Sequence, residues 1–424
     1  MKIDIAGLKI DNLGKQELLA QIFDRLKNNQ KTFVITPYSE FLYHSIKNPK
    51  LLEIFNQADF SIPDGIGIFW AHKFLQIPLT ATSYYGKILQ AWWQAKISLL
   101  SVLFGSRKDG DLKEKIPGSE FVWDLADLAA KNNWSIYLLG GFGDTPERVA
   151  HKLISTSAGQ LRIAGYSSKN PDDPSVIENI QNANPDMVFV AYGPIKQEAW
   201  IVQNMHKVPA RLFIGLGGTF DYIAGKQPAP PPFLRSIGLE WLWRLITQPR
   251  RFGRIWNATV GLMRLLICYK IHIRLPYRKN VVIVILNNKN EIFVGHRKPN
   301  SDATDLNFWQ FPQGGVEEGE DIITGAKREA EEEVGITSLE YLKTSPSLNR
   351  YLWRVGFSNY FKGQEQTLVY FKFIGSDLEI DFNKFHTPEF TEYKWVSISK
   401  LNNTLHPLRQ SLGTIVQEDL KDLA

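Results

Sequence analysis

Glu329, Glu332 and Glu333 are spaced i, i+3 and i+4, so on a helix their carboxylates share one face. Like charges held that closely repel, and a hard divalent cation with oxygen ligands relieves the repulsion. Gly314 and Gly315 allow a tight backbone turn before them. Glu320 lies between that turn and the helix, Arg328 directly precedes Glu329, and Gly335 is placed to close the helix as a C-terminal glycine. From Gly314 to Ile336 the run reads G-x5-E-x7-R-E-A-x-E-E-x-G-I. A solvated acidic helix explains the glutamates but not their register with the glycines and the arginine, a coincidence of roughly 1 in 10⁵–10⁶ at average residue usage. The chemistry this pattern suits is metal-assisted attack of water on phosphorus, the cation generating the nucleophile and neutralising developing charge.

A second set of residues is scattered over the first half of the chain. It comprises Thr36-Pro37, Pro63-Asp64-Gly65-Ile66-Gly67, Leu139-Gly140-Gly141, Tyr192-Gly193-Pro194-Ile195-Lys196-Gln197-Glu198 and Gly217-Gly218-Thr219-Phe220-Asp221. Each falls at the end of an expected strand, where open α/β sheets bind ligands. Glycine there lets backbone approach a phosphate, and a cleft carboxylate such as Asp64 suits a general base. Taken singly, each piece also reads as an ordinary turn.

The elements that must carry these residues differ in style. From Lys31 to about Gly218, short apolar runs (TFVIT, SIYLLG, LRIAGY, MVFVAYG, RLFIGLG) alternate with longer helical patterns. Runs apolar throughout imply strands buried on both faces, hence a doubly wound, Rossmann-like α/β domain. Thr145-Pro146-Glu147 reads as an N-cap, an N1 proline and a first-turn acid. Ala81–Lys113, with Trp92, Trp93 and an apolar run, interrupts the pattern as an insertion. After a proline cluster that follows Gln227, no Asp or Glu occurs between Trp241 and Lys279, while arginines alternate with Trp and Leu. That composition suits a basic amphipathic segment on an anionic membrane, or a linker packed on its own domain. A third style, with strands VVIVIL, EIFVGHR, TLVYFKFIG and YKWVSI around the glutamates, makes a compact α+β domain. With 424 residues, 44% hydrophobic and 22% charged, the chain is globular and multidomain. A net charge of +5 provides basic surface for anionic partners. The lone Cys268 excludes a disulfide framework, as in a reducing cytosol, and reads as a small buried hydrophobe. The apolar runs are too short to span a bilayer, and the N-terminus does not read as a secretory signal.

The C-terminal run resembles the Nudix hydrolase family and matches its box completely. Trp309–Gly315, Tyr277-Arg278, Gly363-Gln364-Glu365-Gln366 and Thr387-Pro388-Glu389-Phe390 are similar to its RNA pyrophosphohydrolase and dinucleoside polyphosphate hydrolase branch. The resemblance implies Mg²⁺ or Mn²⁺ on Glu329, Glu332 and Glu333, with Glu389 as a further ligand or general base and Glu332 catalytic. It implies that Arg328 orients the glutamates. Arg278, Arg297 and Lys298 are placed to hold phosphates of a nucleoside diphosphate-linked substrate; an RNA 5′ end is one such substrate.

The scattered N-terminal set, with Ile116-Pro117-Gly118-Ser119-Glu120, Ala224-Gly225, Gly238-Leu239-Glu240-Trp241, Arg244-Leu245 and Gln248-Pro249-Arg250-Arg251, resembles the WecG/TagA/CpsF glycosyltransferases. The resemblance implies inverting transfer of an N-acetylmannosamine-type sugar from UDP to polyprenyl-diphosphate-linked GlcNAc, with no metal, at the cytoplasmic face of the membrane. Asp64 is then the base, with Thr36 beside it. Gln197 and Glu198 line the donor pocket, and Gly140, Gly141, Gly217 and Gly218 lie near UDP. Arg244, Arg251 and Arg254 are candidates for the lipid diphosphate. Tyr38 stands where the family usually has Asn, Lys115 where it has Arg, and Glu120 where it has Asp; lysine cannot copy arginine's bidentate fork. The expected organisation is residues 1–240 transferase, 241–275 membrane-associating appendage and 276–424 hydrolase. No DNA partner is expected. The alternative is a non-catalytic, membrane- or nucleotide-sugar-binding N-terminal module beside an active hydrolase.

Overall fold

The computed structural model describes residues 2–105, 112–228, 230–231, 233–234, 240–249, 252–298, 308–358, 360–384 and 388–423. Gly238, Leu239, Arg250, Arg251 and Thr387, all used in the sequence argument, lie outside those residues, as does the side chain of Arg244. The chain divides into two compact units, Met1–Ile271 and His272–Ala424.

The first unit opens with an antiparallel pair, β1 (Lys2–Ile5) and β2 (Leu8–Asp11), then α1 (Lys15–Lys27). Its main sheet comprises β3 (Thr32–Ile35), β4 (Phe60–Ser61), β5 (Ser135–Gly140), β6 (Arg162–Ser167), β7 (Met187–Ala191) and β8 (Leu212–Gly215). All six strands are parallel, in the order β4-β3-β8-β7-β5-β6. Strands β3, β5, β7 and β8 are buried at every residue, which is why their sequences lack alternation. Their side chains feed two cores. Phe33, Ile35, Val188 and Val190 face one, while Val34, Met187 and Phe189 face the other.

The crossover helices are α2 (Ser39–Lys47), α3 (Pro49–Asn56), α4 (Ile66–Gln76), α5 (Tyr84–Phe104), α6 (Gly118–Lys131), α7 (Thr145–Thr156), α8 (Ser175–Ala183), α9 (Lys196–Asn204) and α10 (Thr219–Ile223). The α7 N-terminus differs by one residue from the sequence reading. Asp144, not Thr145, is the N-cap, and its carboxylate goes to Arg148 and Lys226 instead of the helix backbone. The Thr145 hydroxyl donates to Phe142 O at 2.7 Å.

The insertion is largely α5. Its buried face is small and polar, with Ala91, Gln94, Ala95 and Ser98. Trp70 of α4 donates its Nε1–H to Ala95 O and Ser98 Oγ, both at 3.1 Å. After α11 (Glu240–Thr247), helix α12 (Phe252–Trp256) runs through a π-helical turn, Asn257–Gly261, into α13 (Leu262–His272). Lys270 on α13 is fully buried; its ammonium donates to Phe74 O and to Gln94 Oε1 and lies 4.0 Å from the Phe74 ring centroid. Cys268, expected inside, is exposed, because this face of α13 points away from the core that takes Leu266, Ile267 and Ile271. Among the described residues no helix is long and apolar enough to cross a membrane.

The second unit is built on a mixed sheet of β9 (Tyr277–Leu286), β10 (Ile292–Arg297), β11 (Trp309–Gln310), β12 (Gln313–Gly315), β13 (Leu339–Leu352), β14 (Gly363–Phe373) and β15 (Phe390–Val396). The order is β11-β10-β9-β14-β13, with β12 also on β9 and β15 on β10; among the described residues only β9 and β14 run parallel. Helix α14 (Ile322–Val334) lays Ala326, Ala330 and Val334 on Val281, Ile283 and Ile285. The alternate residues Val282 and Val284 pack on Leu412 and Val416 of α15 (Gln410–Asp419), on the other face. Strand β13 escapes the sequence reading because it is mostly exposed and carries Lys343, Pro346 and Arg350 in place of an apolar run.

Candidate functional sites

In the second unit the short strand β12, paired with β9, delivers a glycine pair to a helix. Asp321 caps α14, accepting from Ile323 N and Thr324 N at 3.1 and 3.2 Å, and Gly335 closes it at φ 76°, in the left-handed region that glycine tolerates. Glu329 and Glu333 therefore project over β12, while Glu332 stays half-exposed beside Arg328. The Glu329 carboxyl lies where a side chain on Gly314 would be: a Cβ there would sit 1.8 Å from Glu329 Cδ. Glu333 Oε2 accepts from Gln313 N at 3.0 Å.

Arg328 organises the rest. Its Nε and Nη2 donate to the two Glu320 oxygens at 2.9 and 3.0 Å, and Nη2 also donates to Gly315 O at 2.9 Å. Its Nη1 reaches Glu329 at 2.9 Å and Glu332 at 3.1 Å. The Glu320 carboxyl is pulled down to about 2 by these bonds to Arg328. Burial pushes the Glu329 carboxyl up against the opposing pull of Arg328. Glu333 is pushed well up by burial and then by the charge of Glu389. Glu389 itself pairs with Arg297 at 3.6 Å. Arg278 lies against Gly315, 2.5 Å from where a Cβ would stand, and Lys298 is exposed. Glu331 turns away to Lys384 at 2.9 Å.

Among the described residues, no group of three or more His, Cys, Asp or Glu stands in an arrangement that could hold a metal ion. The donor chemistry nevertheless fits a hard divalent cation. Glu329, Glu333 and Glu389 are oxygen donors, and the charges of Glu389 and Glu329 lie close enough to Glu333 to raise its proton affinity. Gln366, quoted within a motif but given no role by the sequence, is fully buried; it donates to Asn280 Oδ1 at 3.1 Å and Gln313 Oε1 at 2.8 Å and so braces the strand bearing the glycines.

In the first unit, a cleft of about 360 Å³ opens along the C-terminal ends of the parallel strands. Thr36 and Tyr38 reach it from β3, Asp64 from β4, Gly141 from β5, Gln197 from the start of α9, and Gly217, Gly218 and Asp221 from β8 and α10; Arg254 comes from α12. Gly140 ends β5 at φ 98°, where backbone of Ala191 leaves no room for a Cβ. Thr36 Oγ1 donates to Gly215 O at 3.3 Å. A Cβ on Gly118 would lie 3.3 Å from Thr36 Oγ1 and 3.5 Å from Asp64 Oδ2, so the start of α6 shares this corner with both.

Glu198 is wholly buried behind the cleft wall instead of lining it. Its oxygens accept from Ile195 N at 2.6 Å and Gln197 Nε2 at 2.7 Å. Gln197 Oε1 in turn accepts from Gly217 N at 2.9 Å. Ile195 is held at φ 74°, ψ −51°, a strained setting for a β-branched residue that costs about 1–3 kcal/mol. Burial pushes the Glu198 carboxyl up to about 7.

The departures from the family pattern meet partners that the sequence did not announce. Tyr38 donates its hydroxyl to Glu40 at 2.8 Å, and Arg254 grips the same carboxylate with two bonds of 2.9 and 2.8 Å. Burial pushes the Glu40 carboxyl up, but Arg254 and then Tyr38 hold it below its ordinary value. Lys115 pairs with Glu240 at 3.0 Å. Both ion pairs fasten the segment after residue 239 to the cleft rim. Glu40 was missed; the signal was its place two residues after Tyr38, on the first turn of α2.

Comparison with known proteins follows this division. The profile described as "Glycosyl transferase WecG/TagA/CpsF family" matches residues 3–110 and 98–275, and the profile described as "NUDIX domain" matches residues 276–418. The chain is 29% identical over 235 residues to an N-acetylglucosaminyldiphosphoundecaprenol N-acetyl-beta-D-mannosaminyltransferase of Bacillus spizizenii, covering 54% of this chain and 77% of that protein. It is 37% identical over 156 residues to an RNA pyrophosphohydrolase of Pelagibacter ubique, covering 36% of this chain and 96% of that protein. A solved MutT protein of Methanosarcina mazei is similar over 34% of this chain and 97% of that one, at 23% identity and a TM-score of 0.26. The chain belongs to the WecG/TagA/CpsF glycosyltransferase family over its first unit and carries a Nudix hydrolase domain in its second.

Proposed function

We propose that the first unit catalyses inverting transfer of an N-acetylmannosamine-type sugar from UDP to a polyprenyl-diphosphate-linked GlcNAc, with residues 1–240 as the transferase domain and 241–275 as its membrane-associating appendage. The observation that carries this reading is the meeting of Asp64, Thr36 and Gly118 at one corner of the cleft. The Asp64 carboxylate takes the proton of the acceptor hydroxyl as its oxygen attacks the anomeric carbon. The bond to UDP breaks with its electron pair on the departing diphosphate, and attack from the opposite face inverts the centre. Gln197, fixed by Glu198, holds the Gly217 amide in the cleft wall beside Gly218, where backbone suits a donor phosphate. The test is UDP release from UDP-N-acetylmannosamine with a lipid-linked GlcNAc acceptor. Equal rates for wild type and Asp64→Asn overturn the assignment.

The second unit, residues 276–424, is proposed to hydrolyse a nucleoside diphosphate-linked substrate. Nudix hydrolases generally use divalent metals, and here Glu329, Glu332, Glu333 and Glu389 would hold Mg²⁺ or Mn²⁺. When bound, the cation activates water and neutralises charge on the phosphates. Arg328 keeps Glu329 and Glu332 oriented toward the glycine turn, and Arg278 and Arg297 supply donors to phosphate oxygens. An RNA 5′ end is one candidate substrate, tested by pyrophosphate release from triphosphorylated RNA against nucleotide sugars and dinucleoside polyphosphates.

One observation favours a second reading of the first unit, as a non-catalytic module that binds nucleotide sugar or membrane. The Arg254 guanidinium, a candidate for the lipid diphosphate, is engaged with Glu40. Sugar-nucleotide binding without turnover in wild type would select that reading.

A further inference from the structure

Helix α5 presents two faces of opposite character. The inner face is committed to the protein: Ala91, Gln94, Ala95 and Ser98 are buried, and Trp70 and Lys270 bond to it. The outer face carries large apolar side chains in solvent. Tyr85 is 79% exposed, Leu89 72%, Trp93 65%, Leu100 56% and Phe104 78%. At 100° per residue these side chains fall within an arc of about 100°, and a helix of 21 residues extends for about 30 Å. An apolar ridge of that length exceeds what a protein ordinarily leaves in water. The inner hydrogen bonds prevent the helix from rolling to bury it.

Charge decides what covers the ridge. No Asp or Glu occurs from Gly65 to Gly105, and Lys96 lies in the middle of the exposed arc. The segment fastened to α5 through Lys270 is also acid-free, from Trp241 to Ile271, and exposes Phe252 and Trp256. A second copy is a poor occupant. Antiparallel pairing about the helix midpoint sets the two Lys96 residues about 6 Å apart along the axis, with no acid on the face to neutralise them. An anionic bilayer meets every term: apolar side chains enter the acyl boundary, Trp and Tyr sit at its interface, and lysine meets headgroups.

We propose that α5 is a lipid-inserting helix that seats the first unit on an anionic bilayer, in addition to the appendage. This rests on the reading of that unit as an enzyme of a lipid-linked acceptor.

The test uses the full chain and vesicles of mixed phosphatidylcholine and phosphatidylglycerol. Combined Leu89→Glu, Trp93→Glu and Leu100→Glu should lower vesicle partition roughly tenfold or more, given the transfer free energy of three large side chains. Circular dichroism should not change. An environment-sensitive label on Leu100→Cys, in a Cys268→Ser background, should shift to the blue on adding vesicles; the same label on Lys131→Cys should not. Wild-type binding by the triple-glutamate variant overturns the role of α5 and leaves membrane association by the appendage standing. A concentration-dependent dimer in ultracentrifugation, lost in that variant and without vesicle binding, makes a second copy the occupant and overturns the proposal. If wild type binds no vesicles, the proposal fails, and sugar transfer to a short, water-soluble diphosphate acceptor shows separately whether the transferase reading survives.

Discussion

The two sites are assembled in opposite ways. The proposed Nudix site draws its glycine turn, its arginine and three of its four proposed metal-holding glutamates from Gly314–Gly335, one strand-loop-helix unit. The transferase cleft draws Thr36, Asp64, Gly141, Gln197, Gly217 and Arg254 from loops far apart in the chain, brought together only by the parallel sheet. A local site depends on one helix being capped and packed. A distributed site depends on a whole sheet and on the ion pairs that close its rim. Each should therefore fail differently when disturbed.

The largest expected effect tests the local site. Glu332 is half-exposed and touches only Arg328 among the described contacts, so Glu332→Gln should leave Tm unchanged while Mg²⁺-dependent pyrophosphate cleavage falls by about 10³-fold or more. Turnover near wild type would remove the metal assignment. Next, Asp64→Asn should lower UDP release by about 10²–10⁴-fold without altering hydrolysis. A parallel loss of both activities would show that the sites are not independent. Gly314→Ala should cost hydrolysis roughly 10–100-fold and the second unit about 1–3 kcal/mol, because its Cβ would displace the Glu329 carboxyl; an unchanged rate and denaturation midpoint would show that the carboxyl moves freely.

Arg254→Ala tests the distributed site. It strands the Glu40 carboxylate, whose side chain is 10% exposed, but Arg254 itself is 45% exposed, so screening limits the loss to about 1–2 kcal/mol in urea unfolding of the first unit. Glu40→Gln combined with Arg254→Ala should be less destabilised than Arg254→Ala alone. A separate effect is with pH. Folding raises the Glu198 carboxyl from 4.5 to about 7, so the folded state holds the extra proton between those values. The contribution of this carboxyl is then fully present below about pH 4.5 and is lost as pH rises through about 7, about 3 kcal/mol at ~1.4 kcal/mol per unit and on the order of 10 °C in Tm at ~2–4 °C per kcal/mol. Glu198→Gln should flatten that dependence; a wild-type Tm constant from pH 5 to 8 would count against the buried carboxyl.

The same contrast explains what could be read in advance. Apolar runs disclosed the buried strands of the first sheet, since full burial removes alternation. The glutamate register disclosed α14 because helical spacing is local. Partners across the fold left no local trace: Arg254 with Glu40, Lys115 with Glu240, and Lys270 with Gln94 and Phe74. Gln366 looked like one polar residue in a polar stretch until β14 paired with β9 and put it beside Gln313. Cys268 was misplaced because a helix of apolar residues does not reveal which side faces out.

The fastening of α13 by Lys270 has a consequence for the order of events during synthesis. Gln94 and Phe74 leave the ribosome long before the lysine that covers them, and Glu40 precedes Arg254 by still more of the chain. The sheet through β8 can form while these groups stay hydrated, but the rim of the cleft is finished only when α12 and α13 return to it. A nascent chain whose sheet forms in that order would have its cleft open on one side until they do. In that case the proposed transfer site would be completed only by that last return, after most of the first unit has been made.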